Sequence, residues 1–452
     1  MPGASLSRWT LTYFACALAC LVAVEGLMVM GFGYPGAAID APETLILVHL
    51  AAIGWLSLLM CGALFQFVPV LVAQPLLGDG LPPVALAFIL LGLAVLLSGF
   101  AGMAGFVAVP AEAMPLGGLL LGIGFGTAIL SLGRTLGSAW PVTMPARFVV
   151  VGLMALGGTV LLGETFALVL SGLVGGDMAL SLLLNGVPLH ALLGLGGWLT
   201  FTAMGVSYRL LAMFMLAPET GRFSTGIVLI AGTAALVLIA AAVPFTMAAG
   251  MGMNGLLLGA AVAGLGALGI YGSDVAALYR QRKRRIVELN VVAAIGAFFA
   301  LFAAAVLLAC LLFSGSLPAH AGALTYLFAF GWLSGLGLAK LYKIVAFLTW
   351  LECFAPVLGK RQTPRVQDLV DEKRAAPWFG AYYAAVGFAT LALLADMPLA
   401  FRLFAAVQLL ATLAIIRHLY RSRELLNVPA DLRRGFARPH PFLPQPAARK
   451  MP

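Results

Sequence analysis

Long apolar runs alternate with short clusters of Gly, Pro and charge along the whole chain. The runs fall near residues 9–33, 44–73, 81–109, 115–133, 146–173, 187–216, 224–248, 252–279, 286–314, 319–353, 377–395 and 398–420. A helix needs about 20 mostly apolar residues to cross a bilayer, and each run is near or above that length. The pattern predicts an all-α, polytopic membrane protein with twelve transmembrane helices. The tenth run is long and is expected to extend past the bilayer. The first continues well beyond Ala17-Leu18-Ala19-Cys20, so it reads as an uncleaved first helix and not a cleaved signal.

Composition sharpens this picture. Of 452 residues, 62% are hydrophobic and 10% are charged, against roughly 45–50% and about 25% in a soluble domain. A water-soluble enzyme and a disordered chain are both excluded. The formal charge of +9 reports topology here and not nucleic-acid binding, because basic residues concentrate on the cytoplasmic side of membrane proteins. With the N-terminus in the cytoplasm, every Lys and Arg except Arg402 falls on that side, while Asp40, Glu43, Glu112, Asp177 and Asp396 lie in outer loops. The expected setting is a bacterial-type inner membrane with both termini cytoplasmic and the lipid bilayer as first partner. Residues 1–420 are expected to form a single transmembrane domain. Residues 421–452, basic and rich in Pro, are expected to form an unfolded tail near anionic lipid heads. The five cysteines lie in or at the ends of apolar runs and have neither disulfide nor zinc spacing.

One tetrapeptide recurs three times: Gly54-Trp55-Leu56-Ser57, Gly197-Trp198-Leu199-Thr200 and Gly331-Trp332-Leu333-Ser334. After each Trp the register continues, with Gly62, Gly205 and Ala339, then Phe65, Tyr208 and Tyr342, then Gln66, Arg209 and Lys343. The copies fall in spans 2, 6 and 10. This predicts three pseudo-symmetric groups of four helices, near 1–140, 141–280 and 281–420.

The same three spans carry His49, His190 and His320 in their outer portions, while His418 and His440 lie in or near the tail. A histidine in hydrocarbon is costly and marks a functional site by default. Neutral imidazole ligates iron or copper well. Glu25 in span 1 and Glu164 in span 5 occupy corresponding places and are candidates for a proton relay. Asp274 is expected to pair with the nearby cluster Arg280–Arg285. The methionines pack, and the chain shows no nucleotide loop, zinc pattern or hydrolase triad.

Twelve spans, threefold four-helix symmetry and histidines on spans 2, 6 and 10 together resemble subunit I of the heme-copper oxidase superfamily, which includes nitric-oxide reductases. The local likeness rests on HLAAIGWLSLLMCGALFQFVPVL, PLHALLGLGGWLTFTAMGVSYRLL and HAGALTYLFAFGWLSGLGLAKLYKIVAFLTW. The resemblance implies a low-spin heme held by His49 and His320, a metal ligand at His190, and a heme-propionate partner at Arg402. It departs from the family pattern in two places. The seventh span has no histidine pair, and His320 is followed by Ala321 and Gly322 where the family has a second histidine. The heme–copper centre is therefore incomplete, and oxygen reduction by the family route is not expected.

If the three Gly-Trp pairs sit level, His49 matches His190 in height better than His320, so both pairings stay open. The expected function is heme b binding for electron transfer or NO/O2 binding, with copper the lesser expectation and a cytochrome or copper protein as partner. The rival is a cofactor-free transporter or a metal-handling or assembly factor on the same scaffold. The topology is testable: fused at the C-terminus, green fluorescent protein should fluoresce and alkaline phosphatase should be inactive. An active phosphatase there overturns the orientation.

Overall fold

In lipid every backbone N–H and C=O must be satisfied within the protein, and this chain answers with helices alone as its spanning elements. The structure is a computed structural model that describes residues 9–218, 222–249, 254–433 and 439. Among these residues, 12 helices are long and apolar enough to cross a membrane. They are α1 (Thr10–Met30), α2 (Pro42–Val72), α3 (Leu81–Met103), α4 (Ala113–Ser138), α5 (Met144–Leu170) and α6 (Asp177–Met215). There follow α7 (Arg222–Ala249), α8 (Asn254–Arg280), α9 (Leu289–Ser314), α10 (Leu317–Cys353), α11 (Glu372–Leu394) and α12 (Pro398–Arg423).

Each helix matches one apolar run, and the ends differ most in α6. It begins at Asp177, well before the expected residue 187. Its first turns carry Asp177, Ser181 and Asn185, and Pro188 sits inside the helix. Those polar and Pro positions look like loop in sequence. The acid favours a helix N-terminus, and Asn185 donates from Nδ2 to the Ser181 carbonyl at 2.8 Å within the helix. α10 runs through to Cys353, the long tenth span that the apolar pattern predicts.

The described helices pack into two compact units. One is Asp40–Ile286; the other joins the chain before residue 40 to the chain after residue 286. In the first unit α2 packs on α3, α3 on α4, α4 on α5, α5 on α6 and α7 on α8. In the second, α1 packs on α12, α9 on α10, and α10 and α11 on α12. The packing units thus cut across the three sequence groups, because α1 packs with α9–α12.

The repeat is nevertheless written into local geometry. In all three copies the tetrapeptide lies in the last part of a π-helical stretch: Leu50–Ser57 in α2, Leu192–Phe201 in α6 and Leu327–Ser334 in α10. Such stretches are rare and gather at functional sites. A π turn leaves carbonyls offset by five residues, and the hydroxyl of the tetrapeptide answers two of them. Thr200 donates to the Leu195 carbonyl at 2.7 Å, and Ser334 to the Ala329 carbonyl at 2.8 Å. In the first copy Ser57 accepts from the indole N–H of Trp198 at 3.0 Å. All three tryptophans are buried.

The glycine before each of the last two tryptophans permits close helix approach. A Cβ on Gly197 would lie 2.5 Å from the Ala155 Cβ of α5, and one on Gly331 would lie 2.7 Å from the Ala300 Cβ of α9. The same small-residue contact thus joins α6 to α5 in one unit and α10 to α9 in the other. Close backbone approach at small residues is a main source of helix association in lipid.

The expected tail begins differently from its composition. Residues 421–433 are not free. Arg423 is buried and forms an ion pair with Glu352 at 2.6 Å, and Leu425 and Val428 pack with Ala346, Phe354 and Leu369. Asn427 donates to the Leu369 carbonyl at 3.0 Å, and the Trp350 indole to that of Pro364 at 2.6 Å. A few apolar residues among many charges suffice to pin this stretch beneath α10. Residues 434–438 and 440–452, including His440, lie outside the described residues.

Gly196 and Gly197 give a sharp comparison. A Cβ on Gly196 meets nothing within 4 Å. Gly196→Ala should leave stability within about 0.5 kcal/mol. Gly197→Ala should cost about 1–3 kcal/mol through overpacking against Ala155. Thermal midpoints of the two variants in detergent check this.

Candidate functional site

The π-helical stretches follow directly on the histidines in two helices. His49 is the last residue before the stretch in α2, and His190 stands two residues before the stretch in α6. Within the first unit these two rings come together, with centroids 6.4 Å apart and planes inclined by 32°. Each ring is anchored through one nitrogen. The Nδ1–H of His49 donates to the Leu45 carbonyl one turn earlier at 2.8 Å, and the Nδ1–H of His190 to the Thr159 carbonyl of α5 at 3.0 Å. Those bonds assign the proton to Nδ1 and leave each Nε2 with a lone pair. No hydrogen bond engages either Nε2 among the described residues. A ring N–H given to a carbonyl while the other nitrogen stays free is the usual arrangement of a metal-binding histidine.

Aromatic and small residues shape the surroundings. Phe100 of α3 lies 5.0 Å from the His49 ring, and Phe166 of α5 meets the His190 ring edge-on at 5.7 Å. A Cβ on Gly163 would stand 3.1 Å from His190 Cε1, so a bare position in α5 leaves the imidazole its room. The sequence did not single out these three residues; aromatics and glycines are too common in spanning helices to stand out.

His320 belongs to the second unit. It lies in the first turn of α10, just after Pro318, which takes the place favoured for Pro at a helix start. Pro188 by contrast is inside α6. The shared Pro-x-His spacing therefore places the two histidines at different points of their helices, because α6 starts much earlier. Beside His320, the ring of Tyr34 fills the space over Gly322 where a side chain would stand.

The other candidates are placed as follows. Glu164 of α5 packs against Gly118 of α4, and its Oε2 is buried without a hydrogen-bond partner. Glu25 of α1 is fully buried and accepts from Gln408 and Thr412 of α12 at 2.8 and 3.0 Å. Arg402 donates from Nε to the Val29 carbonyl at 3.0 Å and lies over Gly31, the left-handed residue that ends α1. A cation on the last carbonyls of a helix is favoured by its dipole. Asp274 accepts from the Tyr208 hydroxyl at 2.8 Å, a partner about two α6 turns beyond the aligned tetrapeptide and different from the arginine cluster that proximity in sequence predicted.

Among the described residues, no group of three or more His, Cys, Asp or Glu side chains is arranged to hold a metal ion. The arrangement on view is a two-nitrogen pair. The two imidazole centres stand 6.4 Å apart, and each ring keeps one unprotonated nitrogen. Two neutral imidazoles, each with an unprotonated Nε2, form a donor set of the kind that iron or copper accepts. No protein-family model and no curated protein matches the chain, so a function has to be argued from these residues.

Outside the spans, Tyr34 provides a pH test of its environment. Burial, then the charge of Asp396, pushes its phenol above the ordinary tyrosine value. Asp396→Asn removes only the smaller cause, so the Tyr34 ionisation should move down in pH without reaching that of a free tyrosine. Ultraviolet difference titration against a Tyr34→Phe reference reads the shift.

Proposed function

We propose that this chain is a heme-binding integral membrane protein of the oxidase subunit I type, carrying electrons and lacking a complete heme–copper centre. The observation that carries the reading is the His49–His190 pair, with ring centres 6.4 Å apart, both Nδ1–H groups on backbone carbonyls and both Nε2 atoms left with a lone pair. We assign these two as the residues that would hold one b-type heme. The family likeness would give His320 that role beside His49, and the geometry within the first unit favours His190.

A bound heme supplies reversible one-electron chemistry. The residues do the rest. The Leu45 and Thr159 carbonyls hold the ring orientations and raise the basicity of each Nε2. Two histidine ligands would leave such a heme no open position for a gas, which favours electron transfer. Phe100 and Phe166 keep the neighbourhood apolar, and a dry shell of this kind tunes redox potential. The second reading is copper handling. It draws on the same feature, because a pair of free nitrogens without a third ligand also suits two-coordinate copper(I).

The test is the absorbance of the protein purified from heme-replete cells, before and after dithionite, with metal analysis. The expected result is a Soret band, sharpened α and β bands on reduction, and iron in proportion to protein. His49→Ala and His190→Ala should each abolish the low-spin spectrum, and His320→Ala should leave it. Absence of heme overturns the proposal, with bound copper and no iron favouring the second reading. Loss of the spectrum in His320→Ala but not in His190→Ala overturns the ligand assignment and returns it to the family pairing.

A further inference from the structure

The second unit holds a polar cluster that the heme reading does not use. Glu25 lies in the last third of α1 (Thr10–Met30) and is 0% exposed. Gln408 Nε2 and the Thr412 hydroxyl both donate to the same oxygen, Oε1. The second oxygen, Oε2, is buried without a hydrogen-bond partner. The network continues outward, because the Tyr326 hydroxyl of α10 donates to Gln408 Oε1. That bond and the one to Glu25 set the Gln408 amide: its oxygen accepts and its nitrogen donates. No Lys, Arg or His forms an ion pair with Glu25 among the described residues. The titratable groups of this unit that feel its charge are Tyr326 and Tyr382, both phenols, and the Tyr382 hydroxyl is given to the Phe330 carbonyl.

A lone ionised carboxylate in such a place is strongly disfavoured, and a buried acid without a cation neutralises itself by taking up a proton. Two donors on Oε1 and none on Oε2 leave Oε2 as the site for that proton. We propose that Glu25, oriented by Gln408, Thr412 and Tyr326, is a membrane-buried proton-binding site, taking up one proton on Oε2 and returning it to water. The site stands apart from the histidine pair and does not depend on any cofactor.

Infrared spectroscopy of the full chain in lipid films tests it. The wild type should show a protonated-carboxyl C=O band that Glu25→Gln lacks and that Glu164→Gln retains. The band should shift to lower frequency in D2O, showing that the proton exchanges. Gln408→Leu should shift it to higher frequency, because Oε1 loses a donor. Two results overturn the proposal: Glu25→Gln removing carboxylate intensity and no C=O band, or a C=O band unmoved by D2O. If Glu25→Gln does not accumulate, Glu25→Asp must displace the same band, and an unchanged band is equally fatal. Because none of these bands requires heme, failure here and failure of the heme reading are separable.

Discussion

A polar hydrogen inside a bilayer is costly unless it finds an acceptor in the protein, since hydrocarbon offers none. Most of what distinguishes this molecule follows from that constraint. It makes the spans helical. It gives the hydroxyls of Thr200 and Ser334 a task, because a π-helical stretch offers carbonyls that an ordinary helix turn would have used. It also fixes the imidazoles of His49 and His190, whose Nδ1–H groups go to carbonyls of their own helix and of α5. The orientation of each free Nε2, and with it the candidate chemistry, is a by-product of satisfying the other nitrogen.

The same constraint separates two kinds of buried polarity. Near the ends of the spans, charges are paired: Arg423 with Glu352, and Lys343 with Glu288 at 2.7 Å. Removing one member of such a pair leaves an uncompensated buried charge, which is costly. Elsewhere, acids meet neutral donors. Glu25 is met by an amide and a hydroxyl, and Asp274 by a phenol. Neutral donors orient a carboxyl without adding a compensating charge.

Much of this was legible in the chain itself. The twelve helices appear as twelve apolar runs because spanning length and hydropathy leave little alternative. The tetrapeptide repeat marked three helices that share an unusual backbone. Other features were hidden. The start of α6 was missed because Asp177, Asn185 and Pro188 resemble a loop, although each is tolerated in a helix in its own position. The packing of 421–433 was missed because Leu425 and Val428 are two apolar residues in a basic, Pro-rich segment, and burial depends on the partners waiting in α10 and 354–371. Asp274 was matched to the nearest arginines along the chain, whereas its hydrogen-bond donor comes from another helix.

Hydropathy, charge placement and repetition by themselves determined the class of protein, the number of spans and which histidines are unusual, because these properties act one segment at a time. Which histidines meet was decided only by tertiary structure. Helix rotation, the π-helical stretches and the start of α6 together set the height and direction of each ring. Those quantities accumulate along a helix and across its contacts, and no local pattern of residues records them. For the same reason Glu25 read as one acid among several in sequence and became a binding site only when α12 brought Gln408 and Thr412 to one of its oxygens and left the other bare.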